Sequence, residues 1–197
     1  MNYLAHTYLS FGDEYLVLGN FLADIISLKE SRLLPDEFDR GFILHKKIDQ
    51  FTDKHEEVKK VIQLLRPRHS KYSPVVSDIL FDYYLAKNWE SYSTVALRDF
   101  ANNSYHILNR YKEHIPVLYR DLVGRMIKGD FLMNYGSKEG LAFTLGKMQQ
   151  KAKFESNFLD ALLDIEDSDR EFNDAFNRFF PDLIEHVSTD YWKETYS

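Results

Sequence analysis

Cysteine is absent from this chain, and glycine and proline are scarce, at eight and five residues out of 197. Without thiols the chain cannot form disulfides, use a cysteine nucleophile or bind a metal through thiolates, so any metal site must consist of nitrogen and oxygen donors. No apolar run approaches the length of a membrane span, and the N-terminus lacks the basic region of a secretory leader. We therefore expect a cytoplasmic protein that does not bind membranes.

Several catalytic motifs are also missing, including glycine-rich phosphate loops, the nucleophile elbow and His-Glu-x-x-His. Neither the alternation typical of strands nor an internal repeat is present. The chain as a whole is 44% hydrophobic and 28% charged, with an aromatic share of 15%. These hydrophobic and charged shares are ordinary for a globular protein. The length favours one hydrophobic core. We predict an all-α protein in which residues 1–197 form a single-domain helical bundle.

Helical periodicity and breaker residues divide the chain into segments. A break at Gly12-Asp13 separates the first two helices, Pro35 opens a long helix that stops before Pro67, and Ser73-Pro74 begins the next one with Ser73 as its cap. The predicted helices span residues 2–11, 14–28, 35–65, 73 onward, 91–113, 115–134, 137–153, 155–165, 168–179 and 181–194. Four late aromatic residues are predicted to pack in the core: Phe172, Phe176, Phe179 and Phe180.

The stretch 41–55 carries the densest set of side chains that can bind a metal. On a helix, His45, Asp49 and Asp53 recur at i, i+4 steps and form one row. Asp49 and Asp53 carry the same charge at neighbouring positions, which is unfavourable unless a cation lies between them. That cation is either a bound metal or a lysine such as Lys46. In the second case the row belongs to a salt-bridged surface helix.

Further carboxylates lie in apolar helices. Asp24 has apolar neighbours and no cation within the adjoining turns, and a buried carboxylate is costly unless it is paired. Asp78 and Asp82 face the same way at i, i+4, so they need a shared cation or a raised pKa. His6 is either a ligand or a hydrogen-bonded core residue. We predict that Asp24, Asp78 and the row at His45 converge on one metal-sized cleft.

This set of side chains is richer in carboxylate than in imidazole, which suits Mn²⁺, Mg²⁺ or another divalent cation better than Cu²⁺. The chemistry it favours is metal-assisted hydrolysis of a phosphate ester, in which the ion polarises the phosphoryl group and activates water. Lys46 or Lys47 would neutralise phosphate charge, and neighbouring aspartates would accept a proton. We assign catalytic roles to Asp24, His45, Lys46, Asp49 and Asp53.

Charge is distributed unevenly along the chain. The net charge is −6, yet residues 54–71 carry a local excess of four positive charges. A basic patch on an acidic protein suits a focused contact with an anionic partner better than general nucleic-acid binding. The alternative is an exposed helix end followed by a loop. The predicted partner-binding cations are Lys59, Lys60, Arg66, Arg68 and Lys71.

Four segments resemble, in order, the successive motifs of one bacterial family. They are MNYLAHTYL at residues 1–9, GNFLAD at residues 19–24, the stretch 41–53, and DILFDYYLA at residues 78–86. Together they resemble bacterial acyl carrier protein phosphodiesterase over the first 90 residues. The C-terminal half is similar to the family only in its helical, aromatic-rich character.

The resemblance implies a cytoplasmic hydrolase of lipid metabolism that removes the 4′-phosphopantetheine arm from holo acyl carrier protein, with a divalent cation, typically Mn²⁺, as cofactor. It also implies kinship with the all-helical HD-type metal phosphohydrolases. This chain has no adjacent His-Asp doublet, and His45 and Asp49 would have to replace it. The resemblance implies the site residues His6, Asp24, His45, Asp49, Asp78 and Asp82. Asp53 and Lys46 are its secondary candidates.

Acyl carrier proteins are small and acidic, so the cations between residues 59 and 71 become the predicted docking surface. Two other functions stay open. One is a metal phosphohydrolase that acts on a small phosphoester such as a nucleotide, and the other is a helical module that binds an acidic protein without turning it over. Bound divalent metal favours either enzyme over the module, and a requirement for the carrier protein separates the two enzymes. The sequence leaves the oligomeric state open.

Overall fold

The computed structural model describes residues 1–154 and 156–195, and side chains up to residue 189. This part of the chain is helical and contains no strand, which confirms the predicted all-α class. The α-helices are α1 (Tyr3–Tyr8), α2 (Glu14–Leu22), α3 (Leu28–Ser31), α4 (Asp39–Lys54), α5 (Glu56–His69), α6 (Ser73–Lys87), α7 (Trp89–Tyr92), α8 (Leu97–Arg110), α9 (Val117–Lys128), α10 (Lys138–Lys151) and α11 (Ala161–Thr195). Short 3-10 turns lie at Asp36–Phe38, Ser70–Tyr72, Lys112–His114, Met133–Gly136 and Phe158–Asp160.

The beginning of the chain follows the prediction as far as α2. The break at Gly12 is confirmed, since this residue has a positive φ, and the side chain of Asp13 caps α2. The prediction that α2 continues to residue 28 is wrong, because the helix ends at Leu22. Ser27 and Glu30 then form a capping box that starts the short helix α3.

The long helix predicted over residues 35–65 is in fact two helices. His55 has extended backbone, with φ −69° and ψ 135°, and it separates α4 from α5 while its ring caps α5. Helix α5 continues through Pro67, contrary to the prediction, because a proline in the last turn removes only one intrahelical hydrogen bond. Ser73 lies inside α6 rather than at its cap, and its hydroxyl donates to the carbonyl of Ser70.

The late helices also differ from the prediction. The segment 91–113 is interrupted after α7, and the helices predicted over residues 168–179 and 181–194 are continuous in α11. Ser168 within α11 has non-helical backbone, with φ −141° and ψ 30°, and separates two helices there, so the boundary predicted between 155–165 and 168–179 is confirmed. The boundary predicted at Pro181 is wrong, because Pro181 lies inside the helix. Residue 155, at the start of one predicted helix, lies outside the described residues.

Helix α6 runs through the core and is buried on several sides. Its Phe81 packs against Phe179 and Phe176 of α11, with ring centroids 5.3 and 5.7 Å apart. The four late phenylalanines are buried, as predicted. One cluster of buried hydrophobic residues extends from Met1 to Val187. Among the described helices, none is both long enough and apolar enough to cross a membrane.

Candidate metal centre

Three side chains on two helices form a group that could hold a metal ion in the described part of the chain. His6 lies on α1, and His45 and Asp49 lie on one face of α4, with one potential ligand atom from each within 4.8 Å of the others. Asp49 Oδ1 is 3.3 Å from Nε2 of His6, and Oδ2 is 3.1 Å from Nε2 of His45. The two rings stack with centroids 4.2 Å apart. Two imidazole nitrogens therefore face one carboxylate.

This group is buried at one end and open at the other. His6 is 1% exposed, whereas the side chains of His45 and Asp49 are 12% and 44% exposed. Nε2 of His6 is buried and makes no hydrogen bond to a described residue, because its contact with Asp49 lacks hydrogen-bond geometry. Buried polar atoms are rarely left in this state. A cation at this point would satisfy the nitrogen, and solvent would reach the cation past Asp49.

Asp24 lies at the rim of the group. It follows the end of α2, and its Oδ1 is 3.6 Å from Nε2 of His45. Its side chain is 36% exposed, so it is not the buried carboxylate that its apolar neighbours suggest. It adds a second negative charge on the open side of the group.

Asn20 connects the helices that carry the two histidines. It is fully buried on α2, and its Oδ1 lies 2.8 Å from Nδ1 of His6 and 3.1 Å from Nδ1 of His45. Its Nδ2 donates to the carbonyl of His6 at 2.7 Å and to the hydroxyl of Ser10 at 3.1 Å. One amide thus contacts both imidazole rings on the side away from Asp49.

Two glycines allow α2 and α4 to approach this closely. A Cβ on Gly41 would lie 2.6 Å from both the backbone nitrogen of Asn20 and Cα of Gly19, which is closer than real Cβ atoms come. Asn20 directly follows Gly19, and His45 lies one turn after Gly41. The contact between glycine backbones is therefore what brings Asn20 within reach of His45.

Burial and neighbouring charges shift the pKa values of the three members in different ways. Burial lowers the pKa of His6, although Asp49 opposes this shift. Burial acts in the same direction on His45, but the hydrogen bond to Asp49 and the charge of Asp24 outweigh it and raise the pKa of His45. Burial would raise the pKa of Asp49, yet its contacts with the two rings hold it well below the usual range. The carboxylate is therefore ionised at neutral pH.

Asp82 has other partners than a metal. It is fully buried on α6, and its Oδ1 accepts from the backbone N–H groups of Asn2 and Ala5 at 3.1 and 3.3 Å, while Oδ2 accepts from Leu4 at 2.7 Å. These N–H groups lie at the start of α1, where intrahelical partners are lacking. Burial raises the pKa of Asp82 to about 7 against these hydrogen bonds, which lower it. The carboxylate therefore caps α1.

Asp78 accepts a hydrogen bond from the amino group of Met1 at 2.9 Å. Burial raises its pKa in spite of this ion pair, and its charge also interacts with those of Asp49 and His6. The pair Asp78 and Asp82 thus shows the raised pKa values that were one of its two expected outcomes. Neither belongs to the three-residue group, so the geometry does not support the assignment of these two carboxylates as metal ligands.

Asp53 and Lys46 are exposed on α4 and also lie outside the group. Four of the five predicted docking cations have partners within the chain. These contacts are Lys59–Glu56, Lys60–Glu57, Arg68–Asp164, Arg68–Asp167 and Lys71 over the ring of Phe154. Arg66 is exposed and has no ion-pair partner among the residues described. The five cations therefore do not form one free basic surface.

Comparison with known proteins identifies the family. The family described as acyl carrier protein phosphodiesterase matches residues 1–183. The chain belongs to this family. The acyl carrier protein phosphodiesterases of Pectobacterium atrosepticum and Yersinia pestis are each 25% identical to it, over 96% and 93% of this chain and 98% and 96% of their own. A relative of the same name from Escherichia coli is 23% identical over 95% of this chain and 98% of its own.

These comparisons confirm the resemblance found in the four sequence motifs, and the relatives' names indicate that this family member is an enzyme, an acyl carrier protein phosphodiesterase. No solved structure is significantly similar to it, so its likeness to HD-type phosphohydrolases stays a prediction. Sequence reasoning did not single out Asn20, Ser10 or the contact of Gly19 with Gly41. The available signal was that Gly19-Asn20 and Gly41 begin two of the family motifs.

Proposed function

We propose that this chain is a divalent-metal phosphodiesterase that removes 4′-phosphopantetheine from holo acyl carrier protein and leaves the apo protein. Family membership supports the reaction. The observation that supports the metal is the arrangement at Asp49, whose carboxylate is faced by Nε2 of His6 and of His45. An ionised carboxylate can only accept, and a neutral imidazole nitrogen without a proton can only accept as well. A cation between these atoms would be coordinated by the ionised carboxylate and by the Nε2 lone pair of each neutral ring.

The donor set narrows the choice of ion. Two imidazoles and one carboxylate form a nitrogen and oxygen site without sulfur, which suits Mn²⁺ better than Mg²⁺, since Mg²⁺ is bound mainly through oxygen. Three protein ligands, with Asp24 at the rim, leave open positions, as catalytic metal sites do. We therefore propose Mn²⁺ as the cofactor and Mg²⁺ or another divalent cation as the alternative.

The site residues have distinct roles in this proposal. A bound divalent ion would polarise a phosphoryl oxygen and lower the pKa of a coordinated water. Asp24 accepts the proton of the attacking water, and Lys46 neutralises charge on the phosphate. Attack at phosphorus breaks the bond to the carrier serine, places the water oxygen on the released phosphopantetheine and leaves a proton for the serine oxygen.

The docking proposal is narrower than the sequence suggested. Because Lys59, Lys60 and Arg68 are already paired within the chain, Arg66 is the cation of this set best placed to meet an acidic carrier protein. Arg66→Glu should slow association and make it less sensitive to salt. Lys59→Glu is the matched control on the same helix. If both variants keep the wild-type salt dependence, docking does not use α5.

The central experiment is incubation with holo acyl carrier protein and Mn²⁺, followed by intact mass spectrometry. The carrier should lose the mass of phosphopantetheine, and chelation or His45→Ala should abolish the loss. Turnover of bis(4-nitrophenyl) phosphate without action on the carrier would instead indicate a small-molecule phosphohydrolase. Carrier binding with no turnover in the presence of Mn²⁺ would indicate a binding module.

Oxygen-18 water tests the position of attack. One label in the released phosphopantetheine is expected when water attacks phosphorus. Label in the serine of the carrier protein would show carbon–oxygen cleavage and would overturn the proposed mechanism.

A further inference from the structure

The proton positions around His6 follow from its carbonyl group. This oxygen only accepts, and it lies 2.9 Å from the hydroxyl of Ser10 and 2.7 Å from Nδ2 of Asn20. Both neighbours therefore donate to it. Because the hydroxyl of Ser10 has only one proton, its oxygen is left to accept the second N–H of Asn20, at 3.1 Å.

These bonds fix the orientation of the Asn20 amide. With both N–H groups of Nδ2 engaged, Oδ1 faces Nδ1 of His6 at 2.8 Å and Nδ1 of His45 at 3.1 Å. An amide oxygen cannot donate, so each ring must carry a proton on Nδ1. The backbone carbonyl of Asn20, 3.1 Å from the same nitrogen of His45, imposes the same requirement.

We propose that Asn20, oriented by Ser10, is a positioning residue that sets the tautomer of both site histidines and holds both Nε2 lone pairs toward Asp49. In the neutral ring, a proton on Nδ1 leaves the lone pair on Nε2. Ser10 and Asn20 are fully buried, so water does not compete for these bonds. The role rests on the proposed metal function, because a lone pair on each Nε2 is what a metal ligand requires.

The tautomers can be measured without metal or substrate. Long-range ¹H–¹⁵N spectra of the metal-free protein at alkaline pH, where both rings are neutral, distinguish a proton on Nδ1 from one on Nε2. We expect Nδ1–H for His6 and His45 in the wild-type protein. In Asn20→Ala, at least one ring should move its proton to Nε2, where Asp49 can accept it. An Nε2–H tautomer at either histidine of the wild-type protein would overturn the proposal.

Substitution by aspartate separates positioning from simple packing. Asn20→Asp keeps an oxygen for both Nδ1–H groups but loses the donors to Ser10 and to the carbonyl of His6. It should keep the Nδ1–H tautomers that Asn20→Ala loses, even though both variants lose stability. Loss of the tautomers in Asn20→Asp as well, with the fold intact by circular dichroism, would contradict the role of Oδ1.

Mn²⁺ affinity, measured by calorimetry, is the second readout. Asn20→Ala should weaken binding by about 10- to 100-fold, the usual cost of removing a partner behind a metal ligand. Ser10→Ala should have a smaller effect because Asn20 keeps its bond to the carbonyl of His6. Asn88→Ala is the matched control, since Asn88 donates to the carbonyl of Tyr84 and to Asn173 and touches neither histidine.

The two readouts separate this inference from the proposed function. Wild-type protein with both Nδ1–H tautomers but without Mn²⁺ binding would refute the metal and support the positioning of the rings. Mn²⁺ binding that is equally strong in wild type and Asn20→Ala would refute the positioning role and leave the metal proposal intact.

Discussion

The close approach of α2 and α4 can be tested by adding one methyl group. In Gly41→Ala the new Cβ would lie 2.6 Å from backbone atoms of Asn20 and Gly19. Ordinary carbon contacts begin near 3.4 Å, so α4 must move by about 0.8 Å. Alanine gains up to about 1 kcal/mol of helix propensity over glycine, whereas overpacking a core typically costs about 1–3 kcal/mol. Because backbone atoms cannot rotate away, we expect overpacking to dominate.

Thermal unfolding of the metal-free protein measures the result. The net cost is up to about 2 kcal/mol, so Gly41→Ala should unfold up to about 8 °C below the wild type, since 1 kcal/mol corresponds to about 2–4 °C at this length. Gly124→Ala on α9 is the matched control, because no atom of the described residues lies within 4 Å of its Cβ. This variant should raise the unfolding temperature slightly. Mn²⁺ affinity should fall only in Gly41→Ala, where His45 moves away from Asn20. If both variants gain stability, the backbone contact does not determine the position of α4.

Three further substitutions test the site and its support. Asp49→Asn should weaken Mn²⁺ binding in calorimetry by more than about 100-fold, since residues that only hydrogen-bond to metal ligands already contribute about 10- to 100-fold. Asp39→Asn at the start of the same helix should leave the Mn²⁺ affinity unchanged. If both variants bind Mn²⁺ equally well, Asp49 is not a ligand. Asp82→Ala should lower the free energy of unfolding in urea by about 2–4 kcal/mol, because three N–H groups lose a buried acceptor; a change below about 0.5 kcal/mol would contradict the capping role. Burial raises the pKa of Asp82 from 3.8 to about 7, so the folded state binds this proton more tightly than the unfolded state does. The free energy of unfolding should therefore fall by up to about 4 kcal/mol through this group as the pH rises from about 4 to about 7. Asp82→Asn removes this loss, and a constant stability difference from wild type between about pH 5 and about pH 7.5 would refute it.

The sequence predicted the class of the fold better than the ends of the helices. Apolar periodicity indicated α4, which buries one face in the core, whereas Ser73-Pro74 marked the start of α6, which is buried on several sides. The end of α2 was missed because no glycine or proline marks a stop in the largely apolar stretch 23–28. The local signal for a new start, Ser27 with Glu30, was overlooked. The break at His55 has no glycine or proline to mark it, so nearby breaker residues could not predict it.

For the candidate site as well, the sequence predicted contacts within one helix but not contacts between helices. The spacing of His45 and Asp49 within one helix places them together, since residues four apart share a helix face. The approach of His6 depends instead on tertiary contacts with α2 and α6, between residues up to 80 positions apart. Asn20 was missed for the same reason, because a neutral amide in an apolar stretch gives no sign in the sequence that it faces two imidazole rings.

Helix α1 shows why a carboxylate outside the three-residue group matters to the site. It has six residues, and isolated helices shorter than about 12–15 residues are only marginally stable in water. Asp82 engages backbone N–H groups at the start of α1, and Ser10 and Asn20 engage the carbonyl of His6. The N–H groups at the start of α1 and the carbonyl of His6 near its end therefore have buried side-chain partners. Because these partners fix the backbone that carries His6, Asp82 supports the candidate metal centre by holding α1 in place.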